Sequence, residues 1–114
     1  MNLKSLSGRF SDRTPKCRIY AITMVEDPED SPLYIGSTCG SLEARFRSHM
    51  RCPSPSLLDV IRRVGGVENL RIVELLKVEE SERFKREEWV IRLARGYGHE
   101  LANRATPWVE KEES

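Results

Sequence analysis

No stretch of the chain approaches the roughly 18 consecutive apolar residues of a transmembrane helix. The opening MNLKSLSGRFSDRTPK has no apolar core of a secretory signal, and Asp12 together with the shortness of the stretch argues against an organellar leader. The expectation is a chain that neither spans a membrane nor is secreted, hence an intracellular protein, cytoplasmic or nuclear. Cysteine is scarce. Cys17, Cys39 and Cys52 are odd in number and lack CxxC spacing, which argues against a disulfide framework and against a zinc site. Reduced thiols are the expected state. No charge of one sign dominates either: the net charge is +1, which does not advertise a nucleic-acid partner. There is no internal repeat, no low-complexity tract, no zinc finger and no helix-turn-helix pattern. With 114 residues there is room for one domain.

What is present is an ordinary globular composition, 39% hydrophobic and 32% charged, with an uneven distribution of charge. Lys4, Arg9, Arg13, Lys16 and Arg18 face only Asp12 in the first eighteen residues. Arg45, Arg47 and Arg51 share one short segment, and Arg62, Arg63 and Arg71 follow. Acidic residues gather in EDPED (26–30) and EKEES (110–114). Each basic cluster is read first as a solvated face, and as a phosphate-binding surface only with further support.

Three organisational units are expected: a basic, flexible lead-in (1–15), a folded domain (16–107) and an acidic tail (108–114). CRIYAITMV (17–25) and SPLYIGS (31–37) read as strands around a turn-rich EDPEDSP, so a hairpin is predicted. Pro32 falls at the start of the second strand, where a missing N–H is tolerated. Ser41 suits the cap of a helix through Arg51, with Leu42 and Phe46 on one face. SPSLLDVIRRVGG predicts another helix, begun near Ser54 or Ser56 and ended by its glycines. NLRIVELLKV (69–78) predicts a third strand, and Ser81 precedes a long helical pattern stopped at Gly96. The order β-β-α-α-β-α implies an α+β fold: a small three-stranded antiparallel sheet flanked by helices.

The last helix carries the sharpest anomaly. At about 100° per residue, Phe84, Glu87, Val90, Ile91 and Ala94 share one arc, with Glu87 near its middle. Glu88 points to the polar side, where an i,i+4 pair with Arg92 is ordinary surface chemistry. A carboxylate among apolar neighbours costs several kcal/mol unless compensated. An arginine could compensate Glu87; so could a hard cation such as Mg²⁺, which accepts one carboxylate plus waters. In the preceding helix, Arg45 and His49 stack one turn apart, as do Arg47 and Arg51. A guanidinium fork binds oxyanions and an imidazole moves protons near neutral pH, although such a pair is also common on plain surfaces. Tyr20 and Tyr34, one on each hairpin strand, read singly as buried sheet residues.

Taken in order, RIY (18–20), YIG (34–36), SLEARFRSH (41–49), the glutamate of REEWVI (86–91) and the asparagine of LANRATP resemble the GIY-YIG endonuclease family. Ile19 and Tyr20 match its first motif, and Tyr34, Ile35 and Gly36 its second. Leu42, Arg45 and His49 match the L-x-x-R-x-x-x-H helix, and Arg86, Glu87, Val90 and Ile91 the late helix. Asn103 stands where the family has an asparagine. The segment SPSLLDVIRRVGGVENLRIVELL is similar to the helix-then-strand part of phage and homing-type members, so the resemblance covers residues 17–107 as a single-domain member. There are three departures. Arg18 stands in place of glycine, the hairpin loop is longer, and the glycine-rich ending after the asparagine is missing.

The resemblance implies a metal-dependent DNA endonuclease that hydrolyses phosphodiester bonds, one strand per active site. It implies one divalent ion, Mg²⁺ or Mn²⁺, on Glu87, with Arg45 on the non-bridging phosphate oxygens. Tyr20, Tyr34 and His49 would surround the attacking water, Tyr20 and His49 jointly serving as base. Asn103 would fix site geometry, and Gly36 would let the chain turn from strand to helix. Arg18, Arg47, Arg51, Arg62 and Arg63, with the basic lead-in, are the candidate DNA contacts, so binding should be strongly salt-dependent. With no recognition module in the sequence, specificity falls to DNA structure or to a targeting protein partner. A monomer or weak dimer is expected, and a double-strand break would take two molecules or two nicks. The alternatives are a non-catalytic nucleic-acid-binding module on the same scaffold and a structural interaction domain, for which the glutamate is superfluous.

Overall fold

The structure, a computed structural model, describes residues 15–103. The expected lead-in up to residue 14, the acidic tail and the expected domain end at 107 lie outside that span. The described chain runs β1 (Cys17–Met24), β2 (Tyr34–Thr38), α1 (Leu42–Arg51), α2 (Pro55–Val64), β3 (Leu70–Val78) and α3 (Arg83–Gly96). Single 3-10 turns occupy Val67–Asn69 and Glu80–Glu82. Among the described residues the fold is therefore α+β, a three-stranded antiparallel sheet with three helices. None of these helices is long and apolar enough to cross a membrane.

β1 lies between β2 and β3 and is covered on both faces, which is why its sequence is apolar almost throughout. Cys17, Ile19 and Ala21 face one way and form a core with Ile35 of β2, Val78 of β3, and Ile91 and Ala94 of α3. Tyr20 and Ile22 face the other way, toward Leu57 and Val60 of α2 and the half-buried Leu42, Phe46 and Met50 of α1. Helices thus sit on both faces of the sheet. The α1–α2 pair carries the chain from one edge strand, β2, to the other, β3.

The helix ends are set by local chemistry. Ser41 adopts an extended backbone and accepts from the Ala44 N–H at 3.0 Å, satisfying one of the orphan donors of α1. Ser54 caps α2 in the same way through Leu57 N–H, with Pro55 at the first helical position. Gly65 closes α2 in the left-handed region at φ 91°, where a side chain would be strained.

Three expectations change. β2 begins at Tyr34 rather than Ser31, because the residues before it are held in a turn. Asp27 accepts from the Glu29 and Ser31 N–H groups, both at 2.9 Å, and Asp30 sits at φ 53° with its carboxylate paired to Arg71. The acidic loop is therefore tied back to β3. Second, Cys17 and Cys39 are joined as a disulfide, and of the three cysteines Cys52 alone is free. Spacing gave no sign of this, because the pairing is made by strand register. Arg18 lies opposite Thr38, so their outer neighbours Cys17 and Cys39 meet at the open end of the hairpin. Third, Phe84 is 56% exposed, and the inward arc of α3 is centred instead on Arg83, Glu87, Ile91 and Ala94.

Candidate active site

The register of the β1–β2 hairpin places Tyr20 directly opposite Gly36. A Cβ at Gly36 would lie 2.6 Å from Tyr20 Cζ and closer still to the hydroxyl. The glycine is thus required by close approach of the phenol. This corrects the expectation of a strand-to-helix turn at Gly36, which lies inside β2; the turn falls at Cys39–Ser41, where Thr38 Oγ1 accepts from the Gly40 N–H at 3.1 Å. Gly36→Ala is expected to destabilise the fold by about 1–3 kcal/mol, the usual cost of overpacking a filled interior. Urea unfolding checks it: an unchanged midpoint would mean that the ring has room to move.

α1 anchors through the row Leu42, Phe46 and Met50, while the neighbouring row, Arg45 and His49, reaches over Tyr20. Arg45 Nε donates to the Tyr20 hydroxyl at 3.3 Å, and that hydroxyl lies 2.7 Å from His49 Nε2. An arginine N–H can only donate, so the phenol oxygen accepts from Arg45, and its hydrogen goes to His49 Nε2 when that nitrogen carries no proton. With His49 neutral and its proton on Nδ1 the chain runs Arg45 to Tyr20 to His49; with the proton on Nε2 the phenol oxygen accepts from both neighbours. Burial and the nearby Arg45 guanidinium both push the His49 pKa below the ordinary imidazole value. Burial is also the main cause pushing Tyr20 up to about 12, against the opposing pull of Arg45. Arg45 itself is raised, chiefly by its bond to the Tyr20 oxygen. Tyr34 completes the cluster: its ring meets His49 edge-on at 5.2 Å between centroids, and burial raises its phenol, with Glu87 adding to the shift.

Glu87 approaches from the other face. Ser37 follows Gly36, so its side chain points to the α3 side of the sheet, where its hydroxyl meets Glu87 Oε1 at 2.6 Å. The two halves thus flank β2, an edge strand, from opposite faces. The Glu87 charge is near enough to raise both phenols and the Arg45 guanidinium. Among the described residues Glu87 has no direct ion pair; the arginine that compensates it, Arg83, acts through Ser37, with Nε donating to Oγ at 2.8 Å. Glu88, its side chain half-buried, pairs with the exposed Arg92 at 2.6 Å, the i,i+4 partner its position on the helix suggested.

Asn103 is placed on the outer edge of β2. Its amide oxygen accepts from the Ile35 N–H at 2.8 Å and its amide nitrogen donates to the Ile35 carbonyl at 2.6 Å. Ala102 N–H serves the Leu33 carbonyl at 2.7 Å, and Arg83 Nη2 serves that of Ser37 at 3.2 Å. These bonds occupy carbonyls that an edge strand otherwise leaves open, and they fix the strand that carries Tyr34, Gly36 and Ser37. Asn103 therefore positions the site, with its amide committed to backbone.

Of the candidate DNA contacts, Arg47 and Arg51 on α1 and Arg62 and Arg63 on α2 are exposed. Both helices cover the sheet face that holds Tyr20. Arg63 pairs with Asp59 at 3.3 Å on the surface. Arg18 is engaged within the fold, bound to Glu74 at 2.9 Å and to the Gly40 carbonyl at 3.3 Å. It does not belong to the α1–α2 group.

No family model, curated protein or solved structure matches the chain. The chemistry has to be read from the cluster itself. Ser37 and Arg83 are the members that the motif order did not reveal. Two signals bore on them: Ser37 alternates with Gly36 along a strand, and Arg83 lies one helical turn before Glu87. Among the described residues no three His, Cys, Asp or Glu side chains gather as a metal cage. The donor set instead fits a hard cation held by one carboxylate and otherwise by water or phosphate oxygens.

Proposed function

We propose that the protein is a metal-dependent DNA endonuclease of the GIY-YIG type, nicking one strand per active site. The observation that carries this reading is the hydrogen-bonded group Arg45, Tyr20 and His49, with Glu87 near enough to raise the Tyr20 phenol. A purely binding surface needs arginines. It has no use for a proton-accepting imidazole behind a buried phenol, nor for a carboxylate that would repel phosphate.

Phosphodiester hydrolysis needs a water stripped of a proton, stabilisation of the charge growing on phosphorus, and help for the departing 3′ oxygen. A phenol with a pKa near 12 is not ionised at neutral pH, so Tyr20 does not act as a standing phenolate. The Tyr20 hydroxyl is 0% exposed, so the relay requires substrate and water to open the rim beside it; Tyr20 then passes its hydrogen to an unprotonated His49 Nε2 as it takes one from that water. Arg45, charged and fixed against the phenol oxygen, stabilises the phosphoryl oxygens and the electron-rich phenol during that transfer. Glu87 would hold the divalent ion, which when bound supplies Lewis-acid stabilisation at the phosphate and the leaving oxygen. The exposed arginines of α1 and α2 hold the backbone on either side, through contacts that added salt weakens.

The test is a pH profile of plasmid nicking at saturating metal. His49 must be neutral to accept a proton, and its pKa lies below the ordinary value of about 6.5. Activity should persist down through that pH and fall about tenfold per unit once His49 protonates. The same shift makes the fold less stable in acid. The unfolded imidazole protonates first, so stability drops as pH falls below about 6.5 and levels off below the folded pKa. A profile that keeps its shape in His49→Ala would overturn the role of His49, and wild-type protein that binds DNA without nicking any form of it would favour the non-catalytic binding module.

A further inference from the structure

Arg83, Ser37 and Glu87 form a directed chain on the opposite face of β2 from Arg45, Tyr20 and His49. Arg83 Nε can only donate, and does so to Ser37 Oγ at 2.8 Å. The single hydroxyl hydrogen of Ser37 is thereby sent to Glu87 Oε1, 2.6 Å away. The guanidinium is itself clamped, by the Ser37 carbonyl at 3.2 Å and by Cys39 Sγ at 3.6 Å. Ser37 is 3% exposed, so solvent does not substitute for its hydroxyl. A glutamate on a helix surface ordinarily turns freely about its last bond. Here one carboxylate oxygen is committed, while the other has no hydrogen-bond partner among the described residues.

We propose that Ser37 and Arg83 are positioning residues that make Glu87 present a single, oriented oxygen to a divalent cation; the inference rests on reading Glu87 as the metal-binding carboxylate. An arginine paired directly with Glu87 would occupy the oxygen the cation needs. Routing its influence through Ser37 orients the carboxylate and leaves that oxygen open. Groups of this kind behind a metal ligand change affinity for the ion by about 10- to 100-fold when removed.

The experiment is titration of Mn²⁺ into the full chain without DNA, followed by calorimetry or by the electron paramagnetic resonance of free Mn²⁺. Ser37→Ala is expected to weaken binding about 10- to 100-fold. Arg83→Lys keeps the charge but loses the two-point fork, and should weaken binding to a smaller degree. Thermal unfolding of each variant runs alongside; should Ser37→Ala fail to fold, Arg83→Lys, whose side chain is not in the core, decides. Wild-type affinity in both folded variants, with binding lost in Glu87→Ala, would overturn the positioning role and leave Glu87 as the metal residue. Wild-type affinity in Glu87→Ala would remove the metal reading itself. Unchanged unfolding with weakened Mn²⁺ binding is the result expected.

Discussion

Tyr20→Phe is expected to slow plasmid nicking by about 10²- to 10⁴-fold, the range associated with a positioned proton-transfer group, while leaving the fold and DNA binding in place. The ring would stay where it is: Tyr20 is 0% exposed and lies opposite Gly36, where its six-membered ring fills the space that the glycine leaves. Only the hydroxyl goes. Its loss leaves Arg45 Nε and His49 Nε2 without their shared partner. Both lie on the rim, within reach of water, so the stability cost should be about 1 kcal/mol, that of one ordinary hydrogen bond. The catalytic cost is larger, because water lacks a fixed orientation between donor and acceptor. DNA affinity measured by fluorescence anisotropy with Ca²⁺ should match wild type, since the phosphate grip is assigned to the exposed arginines of α1 and α2. A Tyr20→Phe variant that nicks at the wild-type rate would take the phenol out of the chemistry. One that loses DNA binding in parallel with rate would make Tyr20 a packing residue.

Much of the scaffold was legible because local signals and tertiary packing agree. Ser41, Ser54, Pro55 and Gly65 mark helix ends where capping chemistry puts them, and β1 reads as apolar because helices cover both its faces. Illegible features depend on which residue meets which across the sheet. The Cys17–Cys39 bond is a consequence of hairpin register, and so is the true reason for Gly36. The partnership of Ser37 with Glu87 joins residues 50 positions apart, on elements whose relative placement no periodicity specifies. The arc of α3 was read slightly off, with Phe84 counted inward, because an amphipathic pattern gives a face only to within a residue or so. Arg83, a charged residue on the true inward arc, was hidden by that error. The ion pair of Arg18 with Glu74 on β3 was likewise not visible from the distribution of charge along the chain. The four side chains Tyr20, Tyr34, Arg45 and His49 do come together, from two strands and a helix, as their order along the chain had suggested.

The second large effect concerns Glu87, and it separates a nuclease from every non-catalytic reading. Glu87 and Glu88 are adjacent in sequence and alike in charge, yet one reaches Ser37 at the sheet edge and the other pairs with Arg92 on the outside. Removing either changes the net charge equally, so a general electrostatic effect on DNA binding would appear in both variants. Only Glu87→Ala should abolish the hold on the divalent ion, and with it turnover, by at least the 10² to 10³ associated with losing one preorganised electrostatic group. The decisive measurement is conversion of supercoiled plasmid to open circle in Mg²⁺ or Mn²⁺ by wild type, Glu87→Ala and Glu88→Ala at equal concentration. Nicking by wild type and Glu88→Ala with none by Glu87→Ala is the expected result; equal nicking by wild type and Glu87→Ala, or none by wild type on any DNA form, would contradict it.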